Sequence, residues 1–564
     1  MSHLFIGVDV GSSSVRAGLY DASGQKLGYC EHSIQIWASP GLPQGSYEQS
    51  TADIWASVCH TVKEVTRGYS PDSVKGIGFD ATCSLAVVDK DGDPVTVSTS
   101  RDPARNVIMW QDHRALVEAD AINSTNHPVL QFVGGKISPE MQPPKLLWLK
   151  THLYNECWSK AGHFMDLADY MTYRATGSHS RSLCCVVCKW TYVGHHPSLE
   201  KGLDRRVTYG WNDSFWQQIG LKDIVQEEYI RIGSVILSPG EPVGQGLTSG
   251  AAIELGLNAG TPVSAALIDA HAGGLGMLGA DLTSLGNHGN TQLCNVTSRL
   301  AVIGGTSTCL MATSSDAIFV GGVWGPYYSA MLPGKFLSEG GQSATGSVID
   351  FVLHSLPEAF AEVKQRADKA GTSVYEELSC VLKRMAESKC LLSTAFLTHH
   401  LHVLPDYHGN RSPLADPHVC GMVCGLTLAT DVEALSVLYL AHVQALACGV
   451  RHILEELNSA GHGLGAILLC GGLAHNTLYV QTLADVTALP VIVMEDSVLR
   501  GSAILAAVST GQSVIEAMEK MCGRSFGVAQ PCGVPAIVEY HHKKYKVFRQ
   551  LYEDQKKYAC LMKM

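Results

Sequence analysis

The hydrophobic pattern near the N-terminus predicts a β-meander. Leu4–Val10 is almost continuously apolar, as in a buried strand, and Ser14–Tyr20 alternates apolar and other positions with a period of two. A turn rich in glycine and serine joins these two segments, and Asp21–Gly24 predicts a second turn before a third strand. A comparable strand–turn–strand pattern follows over Lys75–Val95.

A weaker copy of this pattern lies in the second half of the chain. Ser298–Thr313 predicts two strands joined by a Gly-rich turn with hydroxyl side chains. Two such hairpins, about half a chain apart, indicate a duplicated fold with one phosphate-binding turn per half. Between them, Thr261–Gly274 predicts an apolar strand that ends in Asp269 and is followed by a helix of small residues. The polar, Asn-rich stretch 286–297 predicts a loop between the halves.

The rest of the second half alternates helices and strands. Ala429–Leu457 has a long helical pattern, and Ala466–Met494 predicts a strand, a Gly-Gly turn, a helix and a second strand. Ser497–Gly511 predicts a small-residue helix. A Lys- and Tyr-rich helix at the end is interpreted as a solvated terminal element. These patterns predict an α/β fold.

Composition narrows the class of protein. The chain has 564 residues, of which 46% are hydrophobic and 16% charged, and this excludes disorder and coiled coil as the dominant structure. The net charge of −11 without a basic block predicts no nucleic-acid and no membrane partner. We find no apolar run of the about 18 to 20 residues that span a bilayer, and no secretory signal. The 18 cysteines form no disulfide-like framework, so we expect reduced thiols and a cytoplasmic location.

The turn after the first predicted strand has the chemistry of a phosphate site. Its backbone N–H groups can form a concave nest, to which Gly11, Ser12 and Ser13 contribute. Asp9, just before the turn, is a candidate for holding Mg²⁺, through water. An ordinary hairpin turn is the alternative, and the similar turn at Gly304–Thr308 favours phosphate binding.

Two further features lie where strands end. Cys470–Asn476 follows a predicted strand and opens a helix, so its two glycines would let a flat ligand or a phosphate lie against bare backbone; a generic strand-to-helix turn is an equal alternative. Asp269 lies at the C-terminal end of a strand, where α/β proteins place ligand chemistry. Its carboxylate could deprotonate a substrate hydroxyl, cap the following helix, or do both.

A literal match to the dinucleotide fingerprint is rejected. Gly274, Gly276 and Gly279 have the G-x-G-x-x-G spacing, but 269–273 separates them from the strand and the required βαβ context is missing. We expect these glycines to pack their helix against a neighbouring element. The sequence also lacks the P-loop motif G-x-x-x-x-G-K-[ST].

Two groups of residues resemble metal ligands. They are Cys184, Cys185 and Cys188 in one group and His399, His400, His402 and His408 in the other. The cysteines lack a second Cys/His pair at zinc spacing, so buried thiols in an apolar element are the favoured interpretation. The histidines alternate along a strand-like segment and are interpreted as scattered surface and core residues.

Together, the two turns, the strand ending in Asp269 and the Gly471-Gly472 pair resemble the FGGY carbohydrate kinases. Pro143–Lys150 and Gly471–Val486 are similar to the family's two signatures. The resemblance implies an α/β fold with two ribonuclease-H-like domains of the actin-like ATPase type and a cleft between them. It implies a sugar-side domain over 1–285, with the first phosphate turn and the catalytic aspartate at the domain junction, and an ATP-side domain over 286–564.

Several stretches are ribulokinase-like within this family, and the resemblance covers nearly the whole chain. They are FDATCS, MWQDHRA, IDAHAG, GGTSTC, EGGQSATG and DYHGNRSP. By this resemblance Asp269 matches the catalytic base. The implied sugar-site residues are Thr82, Cys83, Trp110, Asp112, Arg114, Lys189 and Glu339. The implied ATP-site residues in the second half are Gly305, Thr306, Ser307, Thr308, Gly471, Gly472 and Asn476.

The resemblance implies ATP- and Mg²⁺-dependent phosphorylation of the C5 hydroxyl of a ketopentose, with D-ribulose as the first choice. L-ribulose, xylulose, ribitol, sedoheptulose and glycerol are alternative substrates. A catalytically silent sugar- or nucleotide-binding regulator is a different alternative, against which the intact Asp9, Asp269 and both turns argue. The expected partners are a small sugar and ATP, and a homodimer is left open.

Overall fold

The structure, a computed structural model, describes residues 3–39, 46–199, 204–282 and 295–562. The predicted domain boundary at 285/286 and the polar stretch 287–294 lie outside the described residues. The chain divides into two compact units, here called unit 1 and unit 2. Unit 1 comprises Met1–Thr297, Met311–Ser338 and Glu495–Arg524; unit 2 comprises Ser298–Leu310, Glu339–Met494 and Ser525–Met564.

The described strands are β1 Leu4–Val10, β2 Ser14–Asp21, β3 Lys26–Ser33, β4 Trp37–Ser39, β5 Ser46–Gln49, β6 Val74–Ala81, β7 Leu85–Val88, β8 Val107–Ile108, β9 His163–Asp166, β10 Arg181–Ser182, β11 Ile236–Leu237, β12 Leu267–Ile268, β13 Arg299–Gly304, β14 Thr308–Ser314, β15 Trp324–Tyr328, β16 Phe336–Gln342, β17 His402–Leu404, β18 Met422–Cys424, β19 Ala466–Cys470, β20 Val491–Met494 and β21 Ser525–Ala529.

The described α-helices are α1 Thr51–Val65, α2 Leu116–Ser124, α3 Gln142–His152, α4 Leu167–Thr176, α5 Leu183–Lys189, α6 Asp213–Gln218, α7 Lys222–Gln226, α8 Ser249–Leu255, α9 Asp269–Leu278, α10 Gly346–His354, α11 Pro357–Ala370, α12 Val374–Ser388, α13 Val432–Ala460, α14 Thr477–Thr487, α15 Ser497–Val508, α16 Val514–Met521 and α17 Pro535–Leu561.

The main sheet of unit 1 has the strand order β12–β6–β1–β2–β3. Strands β1, β2 and β3 pair antiparallel, which confirms the predicted β-meander. Strand β6 runs parallel to both β1 and β12. Because parallel strands end at the same edge, the carboxyl ends of β1, β6 and β12 lie side by side.

Helix α15 packs against this sheet through glycines. A Cβ added at Gly7 or Gly78 would lie 2.1 Å from a backbone carbonyl oxygen of α15, so only glycine permits this close approach. Helix α9 packs against α15 in the same way, since a Cβ at Gly276 would lie 1.9 Å from the carbonyl oxygen of Ser497. The predicted packing role of the Gly274–Gly279 motif is therefore confirmed.

Unit 2 contains a sheet in which β13, β19, β20 and β21 are neighbours in that order. Strands β13, β19 and β20 are parallel, and β21 pairs antiparallel with β20. The predicted sequence of strand, turn, helix and strand over Ala466–Met494 is confirmed as β19, α14 and β20. Strands β13 and β19 end together, since Ile303 is opposite Cys470.

Helix α13 corrects the expectation that the sequence has no apolar segment long enough to span a bilayer. Among the described helices, it is long and apolar enough to cross a membrane by length and composition, with a mean hydropathy of 1.4 over its most apolar 18 residues. Of that window, 78% is buried inside the protein. Packing within the protein therefore accounts for its apolar length, as in a core helix.

Candidate active site

Three carboxyl groups meet at the edge of the unit 1 sheet. Asp9 is opposite Asp80 in the pairing of β1 with β6, and Leu267 of β12 is also opposite Asp80. Asp269 follows directly after β12 as the first residue of α9. The parallel register thus brings together Asp9 and Asp269, both singled out from the sequence. It adds Asp80, which the sequence analysis included only as part of the ribulokinase-like stretch FDATCS.

Asp9 and Asp80 form a buried pair of carboxyl groups, with exposed fractions of 2% and 0%. Burial, together with the charge of Asp9, raises the pKa of Asp80 well above its usual value. The hydroxyl of Ser502 donates to Asp80. Burial also raises the pKa of Asp9, and the Arg16 guanidinium, 3.4 Å from the Asp9 carboxylate, opposes that shift.

Asp269 has the properties of a general base. It is half-buried, and its Oδ1 accepts the N–H of Ala270 at 2.7 Å. Ile268, not Asp269, occupies the N-cap position of α9. Burial and then the charge of Asp9 raise the pKa of Asp269 to about 6. Such a carboxylate is mostly ionised at pH 7 and is more basic than a free aspartate, which suits proton abstraction from a hydroxyl.

The raised pKa of Asp80 leads to a first prediction. With divalent cations chelated, Asp80→Asn should raise the Tm above that of the wild type at pH 8 by about 2 °C or more, and the gain should vanish near pH 4. Because the pKa of Asp80 is higher in the folded than in the unfolded chain, the wild type loses stability as the pH rises above the pKa of the unfolded chain. Asn does not titrate, so its amide can donate to Asp9 and accept from Ser502 at any pH. Thermal unfolding between pH 4 and pH 8 measures the difference.

Asp91→Asn is the matched control, because Asp91 is exposed in the same unit. It should show no comparable pH-dependent gain. An Asp80→Asn protein that is less stable than the wild type at pH 8 would show that Asp80 is ionised in the fold.

The first predicted phosphate turn is ordered around Ser12. Gly11 donates its N–H to the carbonyl of Ser14 at 3.0 Å, which closes the turn. Ser13 is exposed, and Ser12 is half-buried. The indole Nε1–H of Trp110 donates to Ser12 Oγ at 2.9 Å, which leaves the serine O–H able to donate to a ligand. The turn is thus joined to a predicted sugar-site residue; phosphate binding by Gly11, Ser12 and Ser13 stays a prediction.

Thr82 and Cys83 follow Asp80 in the segment after β6. Thr82 donates its N–H to Val10 O at 3.0 Å, and its hydroxyl lies 2.9 Å from that of Ser84. Burial raises the pKa of the Cys83 thiol to about 12, and the charges of Lys189 and Asp269 both act on it. Lys189 and Asp269 are therefore close enough to Cys83 for their charges to act on it, and contact of Cys83 and Lys189 with a sugar stays a prediction.

Lys189 lies at the end of α5 with only 3% of its surface exposed. Its ammonium lies 4.2 Å from the ring centroid of Trp324, a cation–π distance. The nearby Asp166 is fully buried, which raises its pKa to about 7, while a hydrogen bond from Trp190 and the charge of Lys189 lower it. Asp166 was not singled out from the sequence, and no motif marked it.

Lys145 is a second buried lysine near this site. The sequence analysis included it in the stretch Pro143–Lys150 but did not predict a role for it. It is fully buried, and its ammonium donates to the carbonyl of Met109 at 3.0 Å. Burial lowers the pKa of Lys145. The sequence could have pointed to Lys145, because it lies in the stretch PPKLLWLK, which resembles a family signature.

Asp112 and Arg114 form an internal ion pair. The guanidinium Nη2 lies 2.7 Å from Asp112 Oδ2 and 3.0 Å from Glu48 Oε1, and Nη1 donates to Val97 O at 2.9 Å. The second partner of Asp112 is the N–H of Tyr47 at 2.8 Å. These contacts position the segment that carries the Trp110 side chain. Direct contact of Asp112 and Arg114 with a sugar stays a prediction.

In unit 2, the turn after β13 is held by the start of α10. Thr345 and Gly346 donate their N–H groups to Thr306 O and Gly305 O at 2.9 and 3.1 Å. The hydroxyl of buried Thr308 lies 2.9 Å from that of Thr345. Gly305 and Thr306 are exposed. The turn therefore presents ordered backbone to solvent, as a phosphate loop requires.

Ser307 and the Gly471-Gly472 pair complete this end of the sheet. Ser307 is half-buried, and its carbonyl accepts the N–H of Gly305 at 2.8 Å. Gly471 has φ +87°, and a Cβ there would lie 2.4 Å from Gly304 O. The turn after β19 thus packs against the turn after β13, whereas Gly472 is exposed with no atom within 4 Å of an added Cβ.

Two further predicted ligand-binding residues of unit 2, besides Thr308, are buried. Asn476 accepts the N–H of Tyr479 at 3.1 Å, which caps α14, and donates to the hydroxyl of Tyr439 at 2.7 Å. Glu339 lies on β16 with 2% of its surface exposed. Glu339 belongs to unit 2, whereas the other predicted sugar-site residues belong to unit 1. Their contacts with ligands stay predictions.

Comparison with known proteins agrees with this architecture. Residues 4–199 match the N-terminal domain and residues 300–510 the C-terminal domain of the FGGY family of carbohydrate kinases. The chain belongs to this family. Both the predicted family and the α/β fold with two ribonuclease-H-like domains are thereby confirmed, while the predicted cleft stays a prediction.

The relatives include enzymes with named sugar substrates. The chain is 49% identical to the FGGY carbohydrate kinase domain-containing protein of Xenopus laevis, over 99% of this chain and 98% of that protein. It is 37% identical to a D-ribulokinase of Saccharomyces cerevisiae, over 90% of this chain and 72% of that protein. The solved structure of a xylulose kinase from Rhodospirillum rubrum matches with a TM-score of 0.73 at 18% identity, covering 99% of each chain, which shows the shared fold.

Proposed function

We propose that this carbohydrate kinase transfers the γ-phosphoryl group of ATP to the C5 hydroxyl of a ketopentose, converting D-ribulose to D-ribulose 5-phosphate. The observation that carries the proposal is the carboxyl cluster of Asp9, Asp80 and Asp269 at one edge of the unit 1 sheet. Family membership supports the reaction class, and the 37% identity to a D-ribulokinase supports the choice of sugar.

In the proposed reaction, Asp269 accepts the C5 hydroxyl proton as the oxygen attacks the γ-phosphorus. In phosphoryl transfer, positioning and neutralisation of charge supply most of the catalysis. Lys189 and the Asp80–Ser84 segment would orient the sugar, with the Trp110 indole fixing the Ser12 hydroxyl beside them.

The residues present fit a magnesium ion. Carboxylate oxygens are the ligands that Mg²⁺ prefers in proteins. Burial raises the pKa of both Asp9 and Asp80, and a divalent cation would stabilise two neighbouring carboxylates at this place. We therefore propose that Asp9 and Asp80 hold Mg²⁺, largely through water. The ion, when bound, neutralises phosphate charge.

The pKa of Asp269 leads to a second prediction. The kcat/KM for the sugar should fall about tenfold per pH unit below about pH 6, because protonation of Asp269 removes the base. Between pH 7 and pH 8 Asp269 is ionised, so its titration should not change the rate. Initial rates of ADP release between pH 5 and pH 8 measure the profile. The Tm at each pH controls for unfolding. Undiminished kcat/KM at pH 5 in a folded enzyme would rule out Asp269 as the titrating base.

For the nucleotide, we propose that the paired turns of unit 2 bind ATP. Gly472 offers exposed backbone beside the ordered turn at Gly305–Thr308. In a third prediction, Gly472→Ala should raise the KM for ATP about tenfold, a loss of about 1.4 kcal/mol, with the Tm unchanged. Steady-state kinetics and thermal unfolding measure the two effects.

Gly471→Ala is the contrasting variant at the adjacent position. It should lower the Tm, because φ is +87° and its Cβ would lie 2.4 Å from Gly304 O. A Gly472→Ala enzyme with wild-type KM for ATP would place the nucleotide elsewhere.

The substrate is tested with a panel of sugars. ADP release should be fastest with D-ribulose and slower with L-ribulose, xylulose, ribitol, sedoheptulose and glycerol. A higher kcat/KM for another member would reassign the substrate within the same reaction class. Sugar binding without ADP release from any member would favour the silent regulator. For location, we propose the cytoplasm, since all the cysteines that the structure describes are free thiols.

A further inference from the structure

A group of soft metal ligands lies beside the candidate base. Cys184 and Cys188 are on α5, and His271 is two residues after Asp269 in the first turn of α9. All three have 0% of their surface exposed. Their ligand atoms lie within 4.8 Å of one another, and Cys188 Sγ is 3.4 Å from His271 Nε2. Among the residues that the structure describes, no other group of three or more His, Cys, Asp or Glu side chains has this arrangement.

The fold explains why these side chains meet. Positions four apart on a helix share a face, so Cys184 and Cys188 point the same way. The Ser182 hydroxyl, which caps α5, donates to Ala266 O at 2.6 Å, just before β12. This bond anchors the start of α5 next to the strand that leads into α9. Cys188 and His271 are 83 residues apart, so spacing in the sequence could not reveal the third ligand.

The expectation that the three cysteines are buried thiols is confirmed, since Cys184, Cys185 and Cys188 are all free and buried. Zinc binds Cys sulfur at about 2.3 Å and His nitrogen at about 2.0 to 2.1 Å in a tetrahedron. These bond lengths place neighbouring ligand atoms about 3.5 to 3.8 Å apart, close to the separation of Cys188 and His271. Metal binding would displace the thiol protons of Cys184 and Cys188, because the thiolate is the form that binds metal.

We propose that Cys184, Cys188 and His271 bind a zinc ion, with water at the fourth position. The ion would join the helix that ends in Lys189 to the helix that begins with Asp269. It would thereby hold Lys189, a predicted sugar-site residue, in register with Asp269, the predicted base. This role is structural, and it stands or falls independently of the sugar that the enzyme phosphorylates.

Cobalt substitution tests the site in the full-length protein. The chain, stripped of metal by a chelator, should bind one equivalent of Co²⁺ with a sulfur-to-cobalt charge-transfer absorption, which Zn²⁺ should abolish. Cys184→Ala and Cys188→Ala should each weaken the absorption at least tenfold. Cys185→Ala is the matched control, because Cys185 is equally buried on the same helix but is not part of the group; it should bind as the wild type does.

A measurement on the wild type tests the zinc site even if the variants misfold. X-ray absorption at the zinc edge of the Zn²⁺-loaded chain should show two sulfur ligands and one imidazole. A shell of nitrogen and oxygen alone, absence of the charge-transfer band, or an unchanged band in Cys188→Ala would overturn the proposal. A Cys184–Cys188 disulfide found by mass spectrometry in the reduced preparation would also overturn it.

Discussion

Replacing Asp269 by Asn is expected to lower kcat by about 10²- to 10⁴-fold, equivalent to about 3 to 5 kcal/mol of transition-state stabilisation. The amide cannot accept the proton of the attacking hydroxyl, whereas its shape preserves the packing at the start of α9. Binding of sugar and ATP should stay close to that of the wild type. Initial rates of ADP release and calorimetric titration with each ligand measure the two effects.

The control for this variant is Asp91→Asn, which makes the same chemical change at an exposed position of unit 1. It should retain wild-type kcat. If Asp269→Asn kept wild-type turnover, another group would have to be the base. If it lost sugar binding together with turnover, Asp269 would act in binding more than in proton transfer.

Gly501→Ala should cause the largest loss of stability. The added Cβ would lie 2.0 Å from the backbone oxygen of Ala272 and 2.6 Å from its carbonyl carbon, so α15 and α9 would have to move apart. Overpacking of this kind costs about 1 to 3 kcal/mol and sometimes more. Because α9 begins with Asp269, kcat should fall as well. Thermal unfolding should show a Tm lower by about 1 to 4 °C.

Gly250→Ala makes the same substitution in another helix of unit 1. Nothing lies within 4 Å of its added Cβ, so alanine should be neutral or stabilise α8 by up to about 1 kcal/mol. If Gly501→Ala unfolded at the wild-type temperature, the close approach of α15 to α9 would not exist in solution.

Elements with a strong local period could be predicted from the sequence. The meander β1–β2–β3 and the segment β19–α14–β20 follow from alternation, apolar runs and glycine turns, each within about 30 residues. The position of Asp269 after a strand could be predicted for the same reason. The packing role of Gly276 was also accessible, because the motif lacked the context of a dinucleotide site.

Features that depend on long-range register could not be predicted in this way. Asp80 joins the cluster because β6 lies between β1 and β12, and the strand order is set by tertiary packing. Helix α15 belongs to unit 1 although the stretch directly before it, Glu339–Met494, belongs to unit 2. His271 reaches Cys188 across 83 residues.

The resemblance implied that Arg114 and Asn476 bind ligands, but it could not show which groups inside the protein they bond to. The structure gives Arg114 bonds to Asp112, Glu48 and Val97 O, and it gives Asn476 a capping bond and a bond to a tyrosine hydroxyl. A side chain with its donors engaged inside the protein can shape a site without touching the ligand. Substitution effects at these positions therefore need a stability measurement beside the kinetics.

The most direct test of the proposed reaction is to identify its product. The wild-type protein is incubated with ATP, Mg²⁺ and D-ribulose, and the phosphorylated carbon is assigned by NMR, with Asp269→Asn run in parallel. We expect D-ribulose 5-phosphate and one equivalent of ADP from the wild type, and at least a hundredfold less of both from the variant. Phosphate on another carbon, no product from the folded wild type, or equal product from both proteins would contradict the assignment of Asp269 as the base for C5 phosphorylation.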